Sequence, residues 1–187
     1  LYKAASAGQS TTLVPEGQSA GAADVYYAVY PYNEAATVSG AVVSTELPVN
    51  QIGVKGSFTT HLAVASSTGT NMTFKNVCGL VKVNIASDNV TSIEFKGNSG
   101  EIVAGPVNIT VSEGEPTYAP TEGSTATAVV MTPASGSVFE PGDYYFAVLP
   151  QSFTAGFTVT SYKNDGRKVV RVANPKDESG IAVGRAK

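Results

Sequence analysis

An alternation of apolar and polar residues in segment 74–85 constrains the fold more than any other feature of the sequence. Lys82 and Asn84 hold even-numbered positions in this segment. A period of two residues is typical of a β-strand that buries one face and leaves the other in water. We therefore expect a core strand here. The apolar residues share the odd-numbered positions and are Val77, Val81, Val83 and Ile85.

The residue composition extends this prediction to the whole chain. Among 187 residues, Val outnumbers Leu by 25 to 6, and Ser and Thr together contribute 37. β-branched side chains suit a pleated, half-buried surface, whereas helical proteins are rich in Leu, Glu and Lys. The length suits one large or two small domains, and a chain of this length can bury a hydrophobic core without the help of disulfides or metal ions. Cys78 is the single cysteine, so no intrachain disulfide can form, and we expect a buried free thiol.

Short apolar runs separated by turn residues continue along the chain. The run 25–32 predicts the first firm strand, and Leu13-Val14 could add a short one before it. Asp165-Gly166, between the runs 157–163 and 168–172, is a strong hairpin signal.

Gly97-Asn98-Ser99-Gly100 predicts a second hairpin, whose return strand would be 101–104. Segment 112–124 is predicted to be a loop, and Ile181-Ala182-Val183 could be a last strand.

About ten short strands at this spacing, without a long amphipathic helix, indicate a sandwich or barrel. The prediction is an all-β, antiparallel Greek-key β-sandwich. Residues 1–24 carry little to bury and are expected to form a flexible arm or an edge segment. Residues 25–187 are expected to form a single β-sandwich domain.

Charge and hydropathy argue against two classes of partner. The formal net charge is −3, and the three arginines all lie near the C-terminus, at 167, 171 and 185. Nucleic-acid binding needs a basic patch, so we expect no nucleic-acid partner. No apolar stretch approaches the roughly 20 residues that cross a bilayer, so no transmembrane segment is expected in this chain.

The sequence contains no recognisable catalytic or metal-binding constellation. The loop at Ser99 faintly echoes the loop around a nucleophilic serine, but His61 is the only histidine and hence the only candidate base. A turn explains Ser99 without further assumptions, and His61 is expected to be an ordinary residue flanking a strand. We therefore expect no enzymatic activity, no cofactor and no metal site. The acidic loop 112–123 is expected to be a solvated surface loop rather than a cation site.

Several stretches, taken in order, carry a resemblance to a known family. They are 27–33, 47–51, 73–83, 93–105, 145–153 and 156–159. Together they resemble the fimbrillin-like proteins of Bacteroidetes, the type V pilins and their relatives. The more specific parts are 74–80, 96–101 and 149–151.

The resemblance implies a surface-exposed lipoprotein precursor that becomes a structural or tip subunit of a fimbria at the outer membrane and acts in cell adhesion. It implies transthyretin-like sandwich domains and partner pilin subunits joined by donor-strand exchange, with the arm 1–24 and the tail 180–187 as the segments that exchange. The matching stretches belong to the first of the family's two domains. No Arg precedes Arg167, so an Arg-directed maturation site cannot be placed before it.

The chain begins at Leu1, without Met or a signal peptide, and we expect it to be a piece of a longer protein whose true N-terminus and any lipid anchor lie elsewhere.

An alternative role is a surface lipoprotein that binds a glycan or another host ligand. Tyr26, Tyr30 and Tyr118 are the candidate ligand-binding residues, because tyrosine rings can form a platform for sugar. Core and cross-strand packing is the competing interpretation for Tyr26 and Tyr30.

Overall fold

The computed structural model describes residues 2–4, 13–15, 25–69, 71–112 and 114–186. The described residues form strands and turns, and no helix occurs among them. The strands are β1 (Tyr2–Ala4), β2 (Leu13–Pro15), β3 (Tyr26–Tyr30), β4 (Thr37–Ser39), β5 (Val42–Leu47), β6 (Asn50–Gly53), β7 (Ala63–Ser67), β8 (Lys75–Asn76), β9 (Gly79–Ile85), β10 (Val90–Gly97), β11 (Gly105–Thr110), β12 (Thr117–Pro120), β13 (Ala128–Pro133), β14 (Gly142–Val148), β15 (Gln151–Phe153), β16 (Phe157–Lys163), β17 (Lys168–Ala173) and β18 (Ile181–Val183).

These strands are arranged in three larger sheets and several two-stranded ones. The largest sheet has the order β17-β16-β10-β13-β6, the next β12-β11-β5-β4, and the third β3-β7-β8. β9 pairs with β14, β15 with β18, and β1 with β2. The pairs are antiparallel except β6 with β13, which is parallel. The all-β sandwich prediction is confirmed, with this parallel pair as an exception, while the Greek-key and transthyretin-like details stay predictions.

One hydrophobic core joins the sheets, and Phe95 of β10 lies within it. Its ring is fully buried, with centroids 4.9 Å from Phe157, 5.5 Å from Phe153 and 5.9 Å from Phe146. Burying a ring of this size contributes roughly 2–3 kcal/mol, and edge-to-face contacts add to that. Because Phe146 belongs to β14 and Phe95 to the five-stranded sheet, this cluster holds two layers together.

The predicted core strand in segment 74–85 is present but divided. Val77 and Cys78 separate β8 from β9, and both are buried. The N–H of Val77 donates to Leu62 O, which continues the pairing of β8 with β7 by one residue, whereas β9 pairs with β14. The predicted inward face is confirmed, since Val81 and Ile85 are buried and Val83 packs against the core.

The hairpin prediction at Asp165-Gly166 is confirmed, because β16 and β17 pair from Phe157↔Ala173 to Tyr162↔Lys168. The second predicted hairpin, at 97–104, is wrong. Both edges of β10 are occupied, by β13 and β16, so no edge remains for a return strand. Val103 instead runs through the core and donates its N–H to Ala126 O.

Two further predictions concern the beginning of the chain and segment 112–124. The strand at Leu13-Val14 is confirmed as β2, which pairs with β1. Most of the predicted arm 1–24 lies outside the described residues, so that prediction stays open. Segment 112–124 is not entirely loop, because β12 within it pairs with β11.

Candidate functional site

An exposed cluster of rings lies on the outer face of the β3-β7-β8 sheet. It consists of Tyr30, Phe58, His61 and Phe74, which we call the aromatic face. Tyr30, Phe58 and Phe74 are 51%, 50% and 45% exposed. Large apolar side chains are usually buried in a sandwich, and a contiguous exposed group of them marks an interaction surface.

The pairing register of the small sheet explains how two of these rings meet. Tyr30 on β3 lies opposite Ala63 on β7, which lies opposite Asn76 on β8. Because side chains alternate, Phe74 falls on the same face as Asn76, and Ala65 on the same face as Ala63. The alanines are small and buried, so rings from the two outer strands reach across the middle one. The centroids of Tyr30 and Phe74 are 6.4 Å apart, edge to face.

His61 lies at the centre of the aromatic face. Its ring centroid is 4.8 Å from that of Tyr30 at an interplanar angle of 31°, and 6.2 Å from that of Phe58 at 90°. Its Nδ1 atom is buried and has no hydrogen-bond partner among the described residues. An unpaired buried polar atom is costly and calls for an explanation. His61 flanks β7, as expected from the sequence, and its ring is also part of the aromatic face.

The structure separates the three tyrosines that the sequence analysis selected. Tyr30 belongs to the aromatic face, whereas Tyr26 lies at the opposite end of β3, across from Ser67, and is half-buried. Tyr118 lies on β12 in another sheet, and its hydroxyl donates to Pro150 O. Burial raises the pKa of this hydroxyl. Tyr118 therefore has a structural role, and the three residues do not share one site.

Phe58 and Phe74 were missed by sequence reasoning, although one signal for Phe74 was present. In segment 74–85 the inward positions are odd-numbered, so Phe74 falls on the polar face of the segment, which is exposed to water. Phe58 has a weaker signal, as a lone ring among Ser57, Thr59 and Thr60. Their proximity to Tyr30 depends on strand pairing, which the sequence does not reveal.

A concavity with a volume of about 570 Å³ lies elsewhere. It is lined by the turn after β5, the start of β11 and residues 123–126. Glu46 is the only titratable side chain among its lining residues. Its other polar side chains are those of Asn50, Ser124 and Thr125.

Ser99 and His61 occupy unrelated positions. Ser99 lies in the turn after β10, where its N–H donates to Glu101 Oε2 at 2.9 Å, while His61 packs in the aromatic face. Within the described part of the chain, no group of three or more His, Cys, Asp or Glu side chains could hold a metal ion.

The strand edges form a second candidate surface, and they differ in how they are covered. The free edge of β14 is protected, because Gly56 N donates to Asp143 O and the Gln51 side chain binds Ala147. The edge of β17 has no strand beyond it among the described residues. Val170 and Val172, 45% and 54% exposed, lie along that edge.

Comparison with known proteins yields a likeness of fold. A solved structure of a Bacteroides uniformis protein provisionally assigned to cell adhesion matches with a TM-score of 0.50 and 16% identity, over 84% of this chain. A Bacteroides ovatus protein with the same provisional assignment matches with a TM-score of 0.48 and 16% identity, over 88% of this chain. This chain spans 63% and 65% of their respective lengths.

No protein-family model matches the sequence, and neither does any curated protein. The likeness to the Bacteroides uniformis structure therefore shows a shared fold. In the described part of the chain, no helix has the length and apolar character needed to cross a lipid bilayer.

Proposed function

We propose that this chain is a non-enzymatic subunit of a cell-surface fimbria that acts in adhesion, as a structural or tip component anchored at the outer membrane. Neighbouring subunits join it by adding a strand to an open sheet edge. The open edge of β17 is the observation that carries this proposal.

The backbone of β17 supplies the groups that strand addition requires. Lys163 N donates to Arg167 O at 2.9 Å, which closes the hairpin and sets the phase of its ladder. In an antiparallel pair, every second residue directs its backbone N–H and C=O to the partner strand. The backbone groups of Val169 and Arg171 therefore bond to β16. The N–H and C=O of Val170 and Val172 point away from β16, toward the open edge. An added strand would satisfy those groups.

The covering of the β14 edge contrasts with the open edge of β17. A bare edge invites uncontrolled pairing, and proteins usually block it. In this chain the β14 edge is blocked by Gln51 and Gly56. The β17 edge instead keeps Lys168 and Arg171, whose charges discourage random association. Arg171 Nη1 donates to Val170 O at 3.5 Å, and an added strand would have to displace this contact.

Two further observations support adhesion and assembly. The Bacteroides uniformis protein that shares the fold is itself provisionally assigned to cell adhesion. The resemblance to fimbrillin-like sequences points to the same role, with lipid anchoring and donor-strand exchange as family traits. The C-terminal strand β18 pairs with Gln151–Phe153 over three residues, which is a short pairing for a segment proposed to exchange.

The test replaces one outward N–H. Val170→Pro removes a donor on the edge without touching the bonds to β16, and Pro is tolerated on edge strands. Val170→Thr is the matched control, because it keeps the N–H. Epitope-tagged chains displayed on a Bacteroides cell surface would be examined by immunogold microscopy and by SDS-stable ladders on gels.

The expected result is labelled fibres and ladders for the wild type and Val170→Thr, and loss of both for Val170→Pro at unchanged surface abundance. Absence of fibres and ladders in the wild type would reject the fimbrial role. Normal assembly of Val170→Pro would be consistent with the fimbrial role but would show that β17 is not the edge at which a neighbouring subunit adds its strand.

A second candidate function is a ligand-binding surface lipoprotein. The aromatic face favours it, because Tyr30, Phe58 and Phe74 are half-exposed and are joined to one another directly or through His61.

A further inference from the structure

The rings of the aromatic face are held in place before any ligand arrives. Tyr30 lies on a paired strand, and its ring is fixed between His61 and Phe74. The loop that carries Phe58 is tied down by Thr59, whose hydroxyl donates to Ile52 O at 2.6 Å. A surface ordered in advance loses little conformational entropy on binding.

The chemical character of the aromatic face is neutral. Segment 57–61 contains Ser, Phe, Thr, Thr and His, and segment 71–74 contains Asn, Met, Thr and Phe, so neither carries a carboxylate, an ammonium or a guanidinium group. Lys75 follows directly, but its Nζ donates to Gly114 O at 2.5 Å. The residues that adjoin Phe58 and Phe74 in the sequence therefore carry mainly hydroxyl and amide groups.

Exposed aromatic rings with neutral polar neighbours match the apolar face and the hydroxyl rim of a sugar ring. The face of an aromatic ring carries negative charge density, and the C–H bonds on the apolar face of a pyranose are polarised toward positive hydrogen. Hydroxyl groups around the rim of the sugar need neutral donors and acceptors, which Ser, Thr and Asn provide. Sites for small ligands generally join an apolar surface to a few polar groups in this way.

The geometry disfavours two other ligands. An anionic glycan or a phosphate group needs Arg or Lys in direct contact, and segments 57–61 and 71–74 contain neither. A cation is usually enclosed by rings on several sides, whereas Tyr30 and Phe74 lie on one open sheet face.

We propose that the aromatic face, through Tyr30 and Phe74 braced by His61, binds a neutral hexopyranose oligosaccharide. The proposal rests on the second candidate function, a ligand-binding surface protein, and is independent of assembly at β17. It also replaces Tyr26 and Tyr118 as sugar-contacting residues.

The test measures binding of maltohexaose, cellohexaose, laminarihexaose and mannohexaose to the full chain by calorimetry, at up to about 5 mM sugar. We expect at least one to bind. Tyr30→Ala and Phe74→Ala should each weaken that binding about tenfold or more, in line with the value of stacking on one ring. Phe74→Tyr, which keeps the ring, should bind within about twofold of the wild type.

Tyr162→Ala is the matched control, because Tyr162 is a partly exposed ring on β16, which belongs to a different sheet. It should leave the affinity unchanged. Failure of all four sugars to bind the wild type would overturn the proposal. Equal binding by a Tyr30→Ala/Phe74→Ala double variant, verified as folded by circular dichroism, would also overturn it.

A third outcome assigns the surface to another occupant. If the wild type forms a dimer in sedimentation and the double variant does not, the aromatic face is an interface between copies, and the sugar proposal fails. Val170→Pro is expected to retain sugar binding, so failure of the assembly proposal and failure of the sugar proposal are separately visible.

Discussion

Gln51 and Ala147 are joined by a pair of hydrogen bonds between the edges of two sheets. Gln51 Nε2 donates to Ala147 O at 2.7 Å, and Ala147 N donates to Gln51 Oε1 at 3.0 Å. The side-chain amide thus takes the place of a neighbouring strand for β14. Gln51 is buried, so both bonds lie away from water.

Removing this amide should destabilise the fold markedly. Gln51→Ala leaves the N–H and C=O of Ala147 buried without partners, and we expect a loss of about 2–4 kcal/mol in the free energy of unfolding. Urea denaturation followed by circular dichroism measures it. The control is Ile52→Ala, whose side chain is half-exposed on the same strand and whose loss should cost under about 1 kcal/mol. Equal losses for the two variants would contradict the bridging role.

Gly156 and Gly166 allow a second comparison of a variant with a matched control. Both have positive φ, +72° and +81°, so alanine at either position strains the backbone by about 1–2 kcal/mol. At Gly156 a Cβ would also collide with Ala173 O, whereas nothing lies within 4 Å at Gly166. We expect Gly156→Ala to lower the free energy of unfolding by at least about 2 kcal/mol more than Gly166→Ala. Similar melting temperatures for both variants would show that the Ala173 contact relaxes at little cost.

Cys78 should be unreactive in the native protein. Burial raises the pKa of its thiol, and the thiolate is the form that reacts. The C-terminal tail covers this region, since Ala186 N donates to Cys78 O and Arg185 Nη1 donates to Asn76 O at 3.0 Å. Arg185→Ala should loosen the tail and accelerate labelling by a thiol reagent at pH 8.

Mass spectrometry of timed samples follows the Cys78 labelling. The control is Arg171→Ala, an exposed arginine on β17, which should leave the labelling rate unchanged. Rapid labelling of the wild type, without any variant, would contradict the burial argument.

Asp143 links β9 to β14 at the surface and should make stability pH-dependent. Its Oδ1 accepts from Asn84 Nδ2 at 2.7 Å and its Oδ2 from Lys82 Nζ at 3.4 Å, and these interactions lower the pKa of Asp143. A carboxylate with a lowered folded-state pKa stabilises the fold above its unfolded pKa. That contribution is lost as the pH falls through the folded-state value.

The wild type should therefore lose more stability than Asp143→Asn between about pH 5 and about pH 2. Asn84→Ala and Lys82→Met should each raise the Asp143 pKa, because the Asn84 hydrogen bond is the largest cause of the shift and Lys82 acts through both a hydrogen bond and its charge. NMR titration of the carboxyl carbon measures the pKa. An unchanged Asp143 pKa in either variant would contradict the role of the residue that was replaced.

Some predictions from sequence succeeded because they rest on neighbouring residues. Asp165-Gly166 determines its hairpin through a turn that needs only a few consecutive residues. The hairpin at 97–104 failed although its turn is real, since Gly100 has a φ of +79°. β13 and β16 take both edges of β10, and that competition is decided by residues far along the chain.

The candidate site also combines a residue that the sequence identified with residues that only strand pairing brings together. Tyr30 was selected from the sequence as a candidate ligand-binding ring on a predicted strand, and its ring is exposed in the structure. Phe74 lies 44 positions further along the chain, and Phe58 and His61 fall between them. These rings meet only because β3, β7 and β8 pair in one register.

By itself, the sequence determined the strand-rich class, the inward face of β9, the neutral chemistry around Phe58 and Phe74, and the tight turn at Gly166. Periodicity, side-chain chemistry and positive φ are local properties, so they can be recognised without knowing any partner. Only the tertiary structure decided that Gln51 covers β14, that β17 stays open and that four rings form one surface. Those outcomes depend on which distant strands pair, and that choice minimises the free energy of whole sheets rather than of any single segment.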